Sequence, residues 1–217
     1  MFNNISLNDL IMKCNDISYK TLKTIVNKIN VDNCSMLSRG YVGQVVERFF
    51  NNQNGNKSQC DFLNLGIELK TLPLNVKNEP LNPIFICSLS PNLRSLEWKY
   101  SNLYNKIKHI LWVPYYKFNN CDIFSYKFLK PFFFKINLSQ EIVIKADWYN
   151  LMNLFYSGNF NNFKFVGKYI QILSHSKNKF DTINIFNKFG KKEIIIRKAF
   201  YFRKIFIKQL IFNFFKF

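Results

Sequence analysis

The apolar residues of this 217-residue chain fall into short blocks of two different periods, which limits the folds open to it. Helical spacing runs through Ile5, Leu7, Leu10, Ile11, Ile17, Leu22, Ile25, Val26 and Ile29 and predicts a helix over 5–31, followed by a turn at Asp32 and Asn33. Val42, Val45, Val46, Phe49 and Phe50 stand at i, i+3, i+4, i+7 and i+8, one apolar helix face, and a polar loop follows over 51–58. Residues 147–156 read as a further helix, and the segment from about Phe202 as a basic amphipathic one. Short strand-type runs lie between them: 84–89, a run within 106–116 ending at Pro114, 169–173 and 192–197. Two more strand-like pieces flank a turn at 64–66. Helices alternating with strands predict an α/β (α+β) chain with a central mixed β-sheet flanked by helices. There is no repeat and no Gly-, Pro- or Ser-rich linker, so one domain over 1–217 is expected.

Charge narrows the class of partner. Lys and Arg number 31 against 13 Asp and Glu, a formal net charge of +18, while 48% hydrophobic residues exclude a disordered basic tail. A folded protein this basic is expected to meet a polyanion, either nucleic acid or an anionic membrane surface. The 26 Lys against 5 Arg, with 30 Asn and 25 Phe, point to drift toward AT-rich codons, which inflates the charge. The scarce acids therefore carry more information than the abundant lysines.

Compartment follows from what is missing. Cys14, Cys34, Cys60, Cys87 and Cys121 are odd in number and form no CxxC pair, and the amino terminus lacks a basic-then-apolar leader layout. A reducing cytoplasm without a disulfide scaffold or zinc ribbon is expected. No apolar run reaches the roughly 18 residues that span a bilayer. Arg203, Lys204 and Lys208 interrupt the most apolar stretch.

Three of the 13 acids, Glu47, Asp61 and Glu68, lie within 22 residues, and Lys70 follows two positions later. On a strand, residues i and i+2 share a face about 6.5–7 Å apart, so Glu68 and Lys70 project together. A turn at 64–66 folds Asp61 back toward that edge. Two carboxylates and the Leu69 carbonyl make an oxygen-rich site suited to Mg²⁺, with the Lys70 ammonium placed to position water or stabilise a scissile phosphate. Glu47 could add a third carboxylate. An acid-x-Lys pattern also recurs by chance in a lysine-rich chain, and its bland counterpart is a solvated ion pair on a strand. The spacing alone does not separate the two.

The run Asp61-Phe-x-x-Leu-Gly-Ile-Glu-Leu-Lys-Thr-x-Pro73 resembles the MutH family of methyl-directed mismatch-repair endonucleases, which share their core with Sau-type GATC restriction enzymes. The resemblance continues through Arg39-Gly-Tyr-Val-Gly-x-x-x-Glu47, Pro80-Leu-x-x-x-Phe-Ile-Cys87 and Lys106-x-Lys-x-Ile-Leu-Trp-Val-Pro114. It extends to Asp147-Trp-x-x-Leu-Met152, Gly167-x-Tyr-Ile-Gln-Ile172 and Ala199-Phe-Tyr-Phe202. It implies a restriction-endonuclease-like fold with two lobes around a DNA cleft. It also implies Asp61, Glu68 and Lys70 as the catalytic core with Asp61 and Glu68 holding the metal, Glu47 as a supporting acid, and Lys106 as a further active-site lysine. Arg39, Gly40, Phe85 and Tyr201 match positions that approach DNA. Family members nick the unmethylated strand at hemimethylated GATC sites and are switched on by MutL after MutS finds a mismatch; a monomer is expected.

The match departs from the family after Ile172, where Leu173-Ser174-His175 replaces Arg-Pro-Lys. Leucine cannot make the bidentate guanine contact of arginine, a loss of about 1–3 kcal/mol in discrimination. Three other readings stay open. A restriction enzyme cutting both strands of GATC is one, although such cousins often carry a second copy of the domain. A DNA-binding protein with degraded catalysis is another, distinguished by loss of cleavage with binding kept. The third is a membrane-surface protein held through residues 199–217, distinguished by binding to anionic vesicles.

Overall fold

The computed structural model describes residues 5–30, 40–51, 59–89, 97–118, 121–176, 178–186 and 192–215. Along the chain run α1 (Leu7–Ile17), α2 (Leu22–Ile29), α3 (Tyr41–Phe49), β1 (Glu68–Leu74), β2 (Ile84–Ser88), α4 (Asn102–Ile107) and β3 (His109–Tyr116). Then come β4 (Lys127–Phe128), β5 (Phe132–Lys135), α5 (Leu138–Tyr156), β6 (Ile170–Ser174), β7 (Thr182–Phe186), β8 (Lys192–Ile196), β9 (Lys198–Phe202) and α6 (Lys204–Phe215). They divide into two compact units, Met1–Leu81 with Lys108–Lys135, and Asn82–Ile107 with Ile136–Phe217.

The first unit is a mixed sheet with helices packed on it. β1 pairs in parallel with β3, Glu68 opposite Ile110 through Leu74 opposite Tyr116. β4 and β5 pair antiparallel with β3 at its two ends. The expected α3 face is buried in full: Val42, Val45, Val46, Phe49 and Phe50 join Leu10, Ile17, Leu22, Ile25, Leu69, Leu111 and Phe128 in one core. At about 25 cal/mol per Å² of apolar surface, that burial is the main force holding the unit.

Two expectations for this unit are corrected. The stretch 5–31 is two helices, not one. Ser18 closes α1 by donating to Cys14 O from both N and Oγ, and Tyr19 takes a left-handed φ of 63°. The backbone then pairs with the β4 segment, Tyr19 N to Phe128 O and Leu22 N to Tyr126 O, before Thr21 caps α2. Apolar periodicity cannot register that tertiary pairing. Nor does the third strand end at Pro114: β3 continues to Tyr116. Pro114 falls between the residues paired with β5 and those paired with β4, and its carbonyl accepts from Leu129 N. The missing N–H therefore removes no ladder bond.

In the second unit β9 is the middle of an antiparallel sheet ordered β2-β9-β6, while β7 and β8 form a separate two-stranded ribbon. The run expected at 84–89 is an edge strand with Phe85 and Ser88 exposed rather than a wholly buried one. The helix expected over 147–156 begins nine residues earlier, where Asn137 and Gln140 form a reciprocal capping box. Asp147 therefore sits in mid-helix. It is buried, and its carboxylate accepts the backbone N–H groups of Lys168 (2.8 Å), Tyr169 (2.6 Å) and Ile170 (3.0 Å) at the entry to β6. Gly167 completes that entry with φ 90°, and a Cβ there would lie 2.1 Å from Ile170 O.

The carboxy-terminal helix is not the two-faced basic helix expected. α6 buries Phe206, Ile207, Leu210 and Ile211, while Ile205, Phe212 and Phe214 remain exposed beside its lysines. No helix among the described residues is long and apolar enough to cross a membrane. Cys14, Cys60, Cys87 and Cys121 are thiols outside any disulfide; Cys34, the turn at Asp32 and Asn33, and most of the loop 51–58 lie outside the described residues.

Replacing Asp147 by Ala leaves three backbone donors without their charged acceptor. The expected cost is about 3 kcal/mol or more, a fall in melting temperature of roughly 6–12 °C for a chain of this size, read by circular dichroism. Gly167→Ala is expected to destabilise as well, because the added methyl meets a backbone carbonyl.

Candidate active site

A six-residue reversal places the candidate acids. Phe62 and Ile67 exchange both backbone hydrogen bonds, Phe62 N to Ile67 O at 2.9 Å and Ile67 N to Phe62 O at 3.2 Å. Leu63–Leu65 fill the loop as one 3-10 turn, and Gly66 closes it with φ 63°, a left-handed value that glycine adopts without strain. The first of the two strand-like runs expected here is reduced to that single bridge at Phe62. The reversal carries Asp61 back alongside β1, where its Oδ2 accepts the Leu69 N–H at 2.8 Å. Leu69 N–H and C=O face the same side of the strand, so its carbonyl also lies on the edge that Asp61 occupies.

Glu68 and Lys70 occupy one face of β1, as their spacing predicts, and Lys70 Nζ donates to Glu68 Oε1 at 3.2 Å. Both are buried, at 4% and 9% exposure. Burying two charges costs several kcal/mol per ion, which only close pairing and further hydrogen bonds offset. Asp61 thus lies on the edge of β1, whose face carries the Glu68–Lys70 pair.

Glu47 lies half-buried on α3, one turn beyond Gly43, where the helix comes close to β1: a Cβ on Gly43 would meet Thr71 Oγ1 at 3.9 Å. Among the described residues no three His, Cys, Asp or Glu side chains form a group able to hold a metal ion. Gly40 begins α3 with φ 100°, and a Cβ there would meet nothing within 4 Å, so its backbone conformation is what calls for glycine. Arg39 lies outside the described residues. Lys106 belongs to the second unit, buried near the end of α4.

Phe85 and Tyr201, expected at the DNA, face each other across β2 and β9, with ring centroids 5.7 Å apart and edge-on. Spacing alone does not place His175 with them. The structure stacks its ring on Phe85 at 4.6 Å and joins its Nδ1 to the Tyr201 hydroxyl at 2.7 Å. Burial pushes the Tyr201 phenol above its ordinary pKa. The signal that locates His175 is tertiary: its N–H bonds Arg197 O, continuing the β6–β9 pairing past Ser174. Leu173, where the family pattern has arginine, lies half-buried in β6 opposite Ala199.

The family model described as DNA mismatch repair enzyme MutH matches residues 50–147, which include Asp61, Glu68, Lys70 and Lys106. The chain is 32% identical over 209 residues to the DNA mismatch repair protein MutH of Buchnera aphidicola subsp. Baizongia pistaciae (strain Bp), covering 93% of this chain and 94% of that one. It is 30% identical over 214 residues to the protein of the same name from Actinobacillus pleuropneumoniae serotype 5b (strain L20), covering 96% and 94%. With nine tenths of each protein aligned, the chain belongs to the MutH family of DNA mismatch repair proteins.

Proposed function

We propose that this chain is a Mg²⁺-dependent DNA endonuclease of mismatch repair that nicks the unmethylated strand at hemimethylated GATC sites in double-stranded DNA. In this reading it acts as a cytoplasmic monomer, activated by MutL once MutS has found a mismatch. What supports the reading is Asp61 held by Leu69 N beside β1, with the Glu68–Lys70 pair on the same strand, in a chain of this family. Two carboxylates and an edge carbonyl suit a hard divalent cation that keeps part of its water shell.

The residues of the chain divide the work as follows. Asp61 and Glu68 would hold the metal, which when bound polarises the phosphate and acidifies a water. The Leu69 N–H orients the Asp61 carboxylate by donating to Oδ2. Lys70, charged and buried beside Glu68, stabilises the negative charge that grows on the phosphoryl oxygens as water adds to phosphorus and one P–O ester bond breaks. In this reading Glu47 is a supporting acid and Lys106 a further lysine of the reaction. Arg39, Gly40, Phe85 and Tyr201 are assigned to the approach to DNA. Site selection is expected to be looser than in relatives with Arg-Pro-Lys, because Leu173 offers no hydrogen bond to a base.

A nicking assay tests this on plasmids with hemimethylated, unmethylated, fully methylated or no GATC sites, with Mg²⁺ and with or without MutL. Nicking of the hemimethylated plasmid, stimulated by MutL, is expected. Absence of cleavage in every arm sinks the enzyme reading, and equal cutting of the plasmid without GATC removes the specificity. Asp61→Ala and Lys70→Ala are each expected to lower the nicking rate by about a hundredfold or more, with duplex binding changed by no more than about threefold; retained nicking refutes the site. Duplex affinity is also expected to fall on the order of a thousandfold between about 50 and 200 mM salt, as for proteins making several phosphate contacts.

A further inference from the structure

Phe85, His175 and Tyr201 form one cluster of rings. All three residues lie in the second unit, on β2, just beyond β6, and on β9. Phe85 and His175 are exposed and Tyr201 is half-buried, so the cluster is at the surface. Its rings fix one another: Phe85 and His175 stack at 24°, and Phe85 meets Tyr201 at 78°. A hydrogen bond joins His175 Nδ1 and Tyr201 Oη within that packing.

The direction of that bond decides what Tyr201 offers to a ligand. A phenol is the stronger acid of the two groups and an imidazole nitrogen the stronger base, so with a neutral ring the hydroxyl donates and Nδ1 accepts. The only proton of Tyr201 is then committed to His175, and the phenol oxygen faces a ligand as an acceptor. A lysine at position 175 could not do this, because an ammonium has donors alone.

We propose that His175 is a positioning residue for Tyr201, holding its hydroxyl so that the oxygen accepts a hydrogen bond from an exocyclic amino group of a base. In the major groove the donors that fit are adenine N6 and cytosine N4. This rests on the DNA reading above and deepens it: His175 sets hydrogen-bond polarity through a neighbour and needs no base contact of its own.

Two measurements test it. The first uses the free protein, whose ring nitrogens are read by long-range ¹H–¹⁵N correlation at a pH well above the titration of the ring. Nδ1 is expected to be unprotonated and Nε2 protonated, with the tautomer balance shifting in Tyr201→Phe. A protonated Nδ1, or no shift in Tyr201→Phe, overturns the proposal whatever the protein binds.

The second compares binding of GATC duplexes with counterparts in which purine replaces adenine, or 5-methyl-2-pyrimidinone replaces cytosine, each lacking the amino group. Wild type is expected to prefer one amino-bearing duplex by about three- to tenfold, the worth of one neutral hydrogen bond, and the arm that responds identifies the base. His175→Leu, Tyr201→Phe and the double variant are all expected to lose that preference to the same degree. Preference kept in His175→Leu, or losses that add in the double variant, overturns the positioning role. No duplex binding by wild type defeats the DNA reading and with it the proposed ligand, while the first measurement still decides the polarity of the bond.

Discussion

Two charged side chains, Glu68 and Lys70, lie almost wholly out of water on one face of a single strand, and much else in the first unit answers to that fact. A buried acid and lysine are tolerable only when held in register, because misplacing either leaves an uncompensated charge. The parallel pairing of β1 with β3 supplies the register from Glu68 to Leu74. The reversal before it supplies the third charge, through the bridge between Phe62 and Ile67 and the bond from Leu69 N to Asp61. Such a pair does little for stability compared with apolar residues of similar size. Its presence on the edge strand β1 fits the reading proposed above.

The second unit is organised around polar bonds of a different purpose. Asp147 gathers three successive backbone N–H groups and so sets where β6 begins. β6 then pairs with β9 from Ile170–Phe202 to Ser174–Lys198, and that register places Gln171 beside Tyr201 and leads the chain out to His175. The cluster with Phe85 thus depends on a carboxylate in the middle of a helix. Asp147 belongs to the matched family pattern, and its contacts show a structural reason for the residue.

Much of the unit-level architecture was legible in the sequence because burial follows period. The face of α3, the strands at β6 and β8, and the shared face of Glu68 and Lys70 all came from spacing alone. The misses share one cause. The break at Ser18–Tyr19 is set by hydrogen bonds to Phe128 and Tyr126, more than a hundred residues away in the chain. β3 runs through Pro114 because its neighbours leave a gap there. β9 was hidden in a segment that also suits a helix, and only its place between β2 and β6 makes it a strand.

For the site the division is similar. The sequence by itself determined which groups are available: two acids and a lysine at strand spacing, the glycine that permits the reversal, and the family to which the motifs belong. Tertiary structure decided which of them meet. It set Asp61 against Leu69. It also brought His175 onto Phe85 and Tyr201. The reason is physical. Side-chain type and period are local properties of the chain, whereas the partner of a hydrogen bond or a stacked ring is chosen by register between strands distant in sequence.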